Sequence, residues 1–120
     1  MKIHNILIFK YSNIFILFAS EIDIFKALAY PTRLKILECI RNSEKCICEI
    51  IPFTGKSQPN VSQHLNVLRK AGLIQEHWEG TKTLIKATNK KIYDIINEVK
   101  KQWVKQLLVL NLVWCFFWLY

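Results

Sequence analysis

Cys46 and Cys48, set either side of Ile47 in "EKCICEI", are the residues of this 120-residue chain best equipped for chemistry. Soft thiolates select soft or borderline ions such as As(III), Cd(II), Pb(II), Cu(I) and Zn(II). A helix N-terminus and the neighbouring Lys45 both favour the ligating thiolate over the thiol. The pair supplies only two ligands. In an ideal helix residues i and i+2 also point to opposite sides, so one shared ion requires a distorted first turn. The same two thiols suit a redox switch; the plainer reading, two small apolar residues, ranks behind a functional one because they are paired. A disulfide reductase is disfavoured, because that chemistry expects C-x-x-C within a βαβ pattern and the chain has neither. The remaining cysteines are Cys39, at an apolar helix position that reads as core, and Cys115, in an apolar tail. Four irregularly spaced cysteines are too few for a secreted disulfide scaffold, so reduced thiols in a cytoplasmic protein are expected.

A second group of side chains suits recognition. In "SQPNVSQHLNVLRKAG" (57–72), Val61, Leu65 and Leu68 recur at helical spacing and form a face to bury. Gln58, Ser62 and Arg69 then share an exposed stripe, with Gln63 and Asn66 beside it. Amides pair with adenine and arginine with guanine in the major groove, so this stripe can read base edges. Ser57, Asn60 and His64 complete the candidate DNA-facing set, with His64 equally readable as a structural residue. Lys82 and Lys86 follow in a candidate hairpin and suit phosphate contacts, which position a protein without specifying sequence.

The elements that must hold these groups are punctuated by three glycines and three prolines. Residues 21–30 have a helical period. Pro31 opens a second helix, on which Leu34, Leu37 and Ile40 form a stripe. A short third helix is expected from Ser43 or Glu44, ending or kinking near Ile51 before Pro52. "TGK" (54–56) is a tight turn into the helix over 57–71, which Ser57 caps and Gly72 closes. "LIQEHW" and "TLIKAT" flank "EGTK" as a β-hairpin. A last helix begins near Lys90, with Ile92, Ile95, Ile96, Val99 and Trp103 in period. The order predicts a mainly α, winged helix-turn-helix chain with a small β-hairpin wing. It is expected as a single domain over 1–120, with a core at 21–105, the helix-turn-helix at 46–70 and the wing at 73–88.

Net charge supports a polyanionic partner. The formal charge is +8, and residues 56–105 hold ten Lys or Arg against four acids. Nucleic acid and an anionic membrane both fit that balance. The segments 1–20 and 106–120 are strongly apolar. The first is interrupted by Lys10, and the second is shorter than the roughly 18–20 residues that span a bilayer, so both read as buried helix before membrane anchor.

Taken together, "FKALAYPTRLKILECI", "CICEI", "SQPNVSQHLNVLRKAGLI" and the "EG" wing resemble the ArsR/SmtB family over residues 21–100. These are dimeric winged-helix repressors released from DNA by metal ions, metalloids or oxidants. The resemblance implies a homodimer on an inverted-repeat DNA operator, with sequence read by Gln58, Ser62 and Gln63. It aligns Cys46 and Cys48 with the C-x-C of the thiolate-sensing branch, with As(III) the first expected effector and Cd(II) the second. One version of that branch has a third cysteine where this chain has Ile51, and another borrows a cysteine from the partner's N-terminus, where residues 1–38 contain none. The last helix lacks the histidines of the zinc-sensing branch.

Overall fold

The computed structural model describes residues 20–119. It divides into two compact units, one up to Thr88 and one from Asn89 onward. The segment 1–19 and Tyr120, and with them the expectation for the first apolar stretch, lie outside the described residues.

In the first unit, α1 covers residues 20–28 and α2 runs Pro31–Cys39, with the proline in the first turn where its missing N–H is harmless. A two-residue strand, β1 (Lys45–Cys46), precedes α3 (Ile47–Thr54). Helix α4 (Gln58–Lys70) follows, then β2 (Ile74–Glu79) and β3 (Lys82–Ala87). The three strands form one antiparallel sheet in the order β1–β3–β2. The core lies between the helices and one sheet face: Ile36 and Leu37 of α2, Ile50 of α3, Val61 and Leu68 of α4 and Ile85 of β3 are almost fully buried. Each such side chain contributes about 1.5–3 kcal/mol through the water it sheds.

Local chemistry explains the turns. Gly55 has φ +68, the left-handed value that closes α3 and aims the chain into α4. Gly80 has φ +61 in the two-residue loop between Glu79 and Lys82, as a tight hairpin requires. At the end of α4 the Leu73 N–H returns to the Leu68 carbonyl at 3.0 Å.

Three local expectations are corrected. The third helix starts at Ile47, not near Ser43, because Lys45 and Cys46 are drawn into the sheet opposite Ile85 and Leu84. It also runs through Pro52 to Thr54, where the Thr54 hydroxyl donates to the Ile51 carbonyl at 3.0 Å. In so short a helix the proline forfeits a single N–H bond, to the carbonyl four residues back. On α2, Leu34 is exposed and Ile36 takes its place in the core beside Leu37 and Ile40.

The second unit is one helix, α5 (Lys91–Trp118). Ile92 and Tyr93 are buried. The described leucines, valines, tryptophans and phenylalanines from Leu107 to Leu119 are each more than half exposed within this chain. No helix among the described residues is long and apolar enough to cross a membrane.

Candidate DNA-binding face and thiol pair

Val61, Leu65 and Leu68 turn one side of α4 into the core, which fixes the opposite side outward. Gln58, Ser62 and Gln63 lie on that outward side and are exposed. Ser57 occupies the N-cap position, but its side chain makes no capping hydrogen bond. Asn60 is half-buried, and its Oδ1 is enclosed without a hydrogen-bond partner. Arg69 is drawn to the wing instead of standing alone on the stripe. Its guanidinium donates to Glu76 on β2 at 2.8 Å and to Asn66 at 2.8 Å.

His64 sits on the flank of α4 that faces α2. Its ring stacks on Tyr30 at 4.9 Å between centroids, tilted by 35°. Partial burial holds its imidazole below the ordinary histidine value, and the nearby Arg33 and Lys56 charges push it further down.

The wing has two chemically distinct faces because alternate residues point opposite ways. Ile74, Glu76 and Ile85 belong to the inner set, which explains why Glu76 meets Arg69. His77, Glu79, Lys82, Leu84 and Lys86 belong to the outer set, with Lys82 and Lys86 exposed. On that outer side lies a cleft lined by Cys46, Cys48, Glu49, Glu79, Lys82 and Leu84. Thus Lys82 and the two thiols share one cleft, while Lys86 stands farther along β3.

The thiol pair is built by a helix cap. Cys46 has extended φ and ψ of −68° and 149°, so it stands outside α3 as its N-cap. Its sulfur accepts the Cys48 N–H at 3.3 Å, and its own N–H donates to the Glu49 carboxylate at 2.9 Å. This is a capping box in which cysteine stands where serine or threonine is usual. Because Cys46 is not helical, the opposed directions expected for positions i and i+2 do not arise. The structure joins the two sulfurs as a disulfide, with Cα atoms 5.1 Å apart, so reduction leaves two thiols side by side. Cys46 is buried and Cys48 exposed, so the pair is open to solvent from one side. Cys39 is half-buried with its thiol pushed up by burial, and Cys115 is exposed. Among the described residues no group of three or more His, Cys, Asp or Glu is placed to hold a metal. Two soft sulfurs at a helix N-terminus nevertheless match the donor chemistry that a thiophilic ion requires.

Glu49, Glu76, Tyr30 and Arg33 belong to this region and were absent from the sequence-derived set. The capping-box spacing, cysteine to Glu49, was the one local signal that pointed to any of them.

A helix-turn-helix with a polar outward face, followed by a hairpin with Lys82 and Lys86 on its outer side, defines a winged helix-turn-helix DNA-binding domain. Residues 30–76 match the model of the arsR family of bacterial regulatory proteins. The chain is 41% identical over 78 residues to an HTH-type transcriptional regulator of Methanocaldococcus jannaschii, covering 64% of this chain and 88% of the relative. It is 38% identical over 64 residues to the arsenical resistance operon repressor of Escherichia coli, covering 52% of this chain and 55% of that one. Its fold is similar to the homodimeric winged helix-turn-helix domain of a Mycobacterium bovis protein, with a TM-score of 0.69 and 25% identity over 76% of this chain and 84% of the other. The chain belongs to the ArsR family, and it is a DNA-binding transcriptional regulator, not an enzyme.

Proposed function

We propose that this regulator is a homodimeric, cytoplasmic repressor that binds an inverted-repeat operator and releases it when a thiophilic ion binds Cys46 and Cys48. As(III) is the first choice of effector and Cd(II) the second. The observation that carries this reading is the meeting of the two sulfurs at the N-cap of α3, in one cleft with Lys82 of the wing. The name of the E. coli relative supports an arsenical effector. Gln58, Ser62 and Gln63 read bases; Ser57, Asn60, Lys82 and Lys86 make supporting contacts. Arg69 contributes as a latch between α4 and the wing, and adds to DNA contact when Glu76 releases it. The homodimeric M. bovis domain supports a dimer, with the apolar stretch of α5 as a source of contacts.

Release needs an ion that binds the DNA-incompetent arrangement more tightly, by typically about 1–3 kcal/mol of coupling. Two structural routes lead away from the thiols. One runs through α3 and Gly55 to Gln58; the other runs through the β1–β3 ladder to Lys82. The sulfur contact also favours a second reading, a redox switch: two thiols and a hydroperoxide give a disulfide, an alcohol and water. Titrating a protein–duplex complex with As(III), Cd(II) and a hydroperoxide separates the two. Release by As(III) or Cd(II) supports the ion reading, and release by hydroperoxide alone replaces it.

A further inference from the structure

Away from the thiols and the outward face of α4, a third cluster stands on the α2 flank. Tyr30 is the extended N-cap residue of α2, with no side-chain cap and its ring about half exposed. His64 of α4 stacks on that ring at 4.9 Å, and the Arg33 guanidinium lies 4.9 Å from the same ring centroid. Arg33 is steadied by donating to the Lys26 carbonyl at 3.0 Å, while its Nε is enclosed without a partner. Lys56, exposed in the turn between α3 and α4, is close enough to act on His64. Arg33 and His64 therefore share one aromatic post, and the charge of Lys56 acts on the imidazole. The charges acting on His64, Arg33 and Lys56, are both positive. Beyond Arg33 a cleft carries Asp23 and Lys26 of α1 and Lys70 of α4.

We infer that Tyr30, Arg33, Lys56 and His64 form a seat for one DNA backbone phosphate on the α2 flank of α4. The inference rests on the DNA-binding reading and adds to it a contact, with a proton, that base recognition does not involve. An aromatic ring holding a guanidinium and an imidazole pre-organises both donors, so less side-chain freedom is lost when the phosphate arrives. Without DNA, partial burial and then the Arg33 and Lys56 charges hold the His64 imidazole below its ordinary value. A phosphate seated among them reverses the local potential, and His64 takes a proton from solvent to become a charged donor at both ring nitrogens. Its value is therefore higher in the complex than in the free protein. The extra affinity is complete below the free value, which lies under the ordinary 6.5. It is lost as pH rises through the higher value of the complex.

Because phosphate contacts are independent of sequence, a random-sequence duplex at fixed ionic strength is a sufficient probe. The whole chain should bind it about tenfold more tightly at low than at high pH, the equivalent of one unit of pKa. His64→Asn should flatten this profile, whereas His77→Asn should leave it as in the parent. Lys56→Ala should reduce the salt slope of binding by about 1. The His64 imidazole resonance, followed by NMR in the parent, should titrate higher with duplex than without, a readout that does not depend on a variant folding. Binding at every pH with a profile that His64→Asn leaves unchanged, or an imidazole that titrates alike in both states, overturns the phosphate seat alone. Failure of the parent to bind duplex at any pH overturns the DNA-binding reading with it.

Discussion

Cys46 stands opposite Leu84 in the β1–β3 ladder, so the first thiol of the pair is part of the wing as well as the cap of α3. A ligand that pulls on its sulfur acts on both elements together. Adding As(III) to the protein should therefore change amide exchange along β3, residues 82–87, as well as at the start of α3. The change should vanish when both cysteines are serine. Altered exchange confined to α3 would remove the wing from the release path.

Glu49 closes the capping box by accepting the Cys46 N–H at 2.9 Å. Replacing it with alanine leaves that N–H and the first turn without their partner. The expected loss is about 1 kcal/mol of stability. For a domain of this size that lowers the thermal midpoint by roughly 4–8 °C. A melt coincident with the parent's would show that the cap contributes nothing.

The contrast between what was legible in sequence and what was not has a physical basis. Pro31, Gly72 and Gly80 act locally, and the Val61–Leu65–Leu68 period is local too, so α2, α4 and the hairpin could be placed from residue order. Strand β1 could not, because two residues carry no period and its pairing partners, Leu84 and Ile85, are distant in the chain. That missing strand displaced the start of α3, and with it the geometry expected for the thiols. Helical angle puts Arg69 on the exposed stripe, but its partner Glu76 lies beyond Gly72 on another element. Tyr30 and Arg33 likewise gain their significance from His64, which only the folded chain brings near.

The Arg69–Glu76 pair is exposed enough that its direct contribution to stability is small, within about 1 kcal/mol. Its effect should appear in DNA binding instead. Glu76→Ala frees Arg69, so affinity for random duplex should rise and the salt slope should steepen by about 1. Unchanged affinity and slope would mean that Arg69 never reaches DNA.

Gln58 and Gln63 are exposed on α4, whereas Lys82 stands on the wing. Alanine at either glutamine should reduce discrimination between a selected duplex and random DNA by about 1–3 kcal/mol. Alanine at Lys82 should weaken both complexes alike. Equal loss on both DNAs after Gln58→Ala would contradict its role as a base reader.

The most direct test of the regulatory account is ion-driven release in the Cys46→Ser, Cys48→Ser double variant. A duplex selected by the parent from a random pool serves as operator, and anisotropy reports binding as As(III), then Cd(II), is added. Serine can still accept the Cys48-position N–H, so the cap should persist and operator affinity should stay within about twofold of the parent. The parent should release DNA as the ion is added, and the double variant should hold it throughout. Release of the double variant at the parent's ion concentration would contradict the account, because the sensor would then lie elsewhere in the chain.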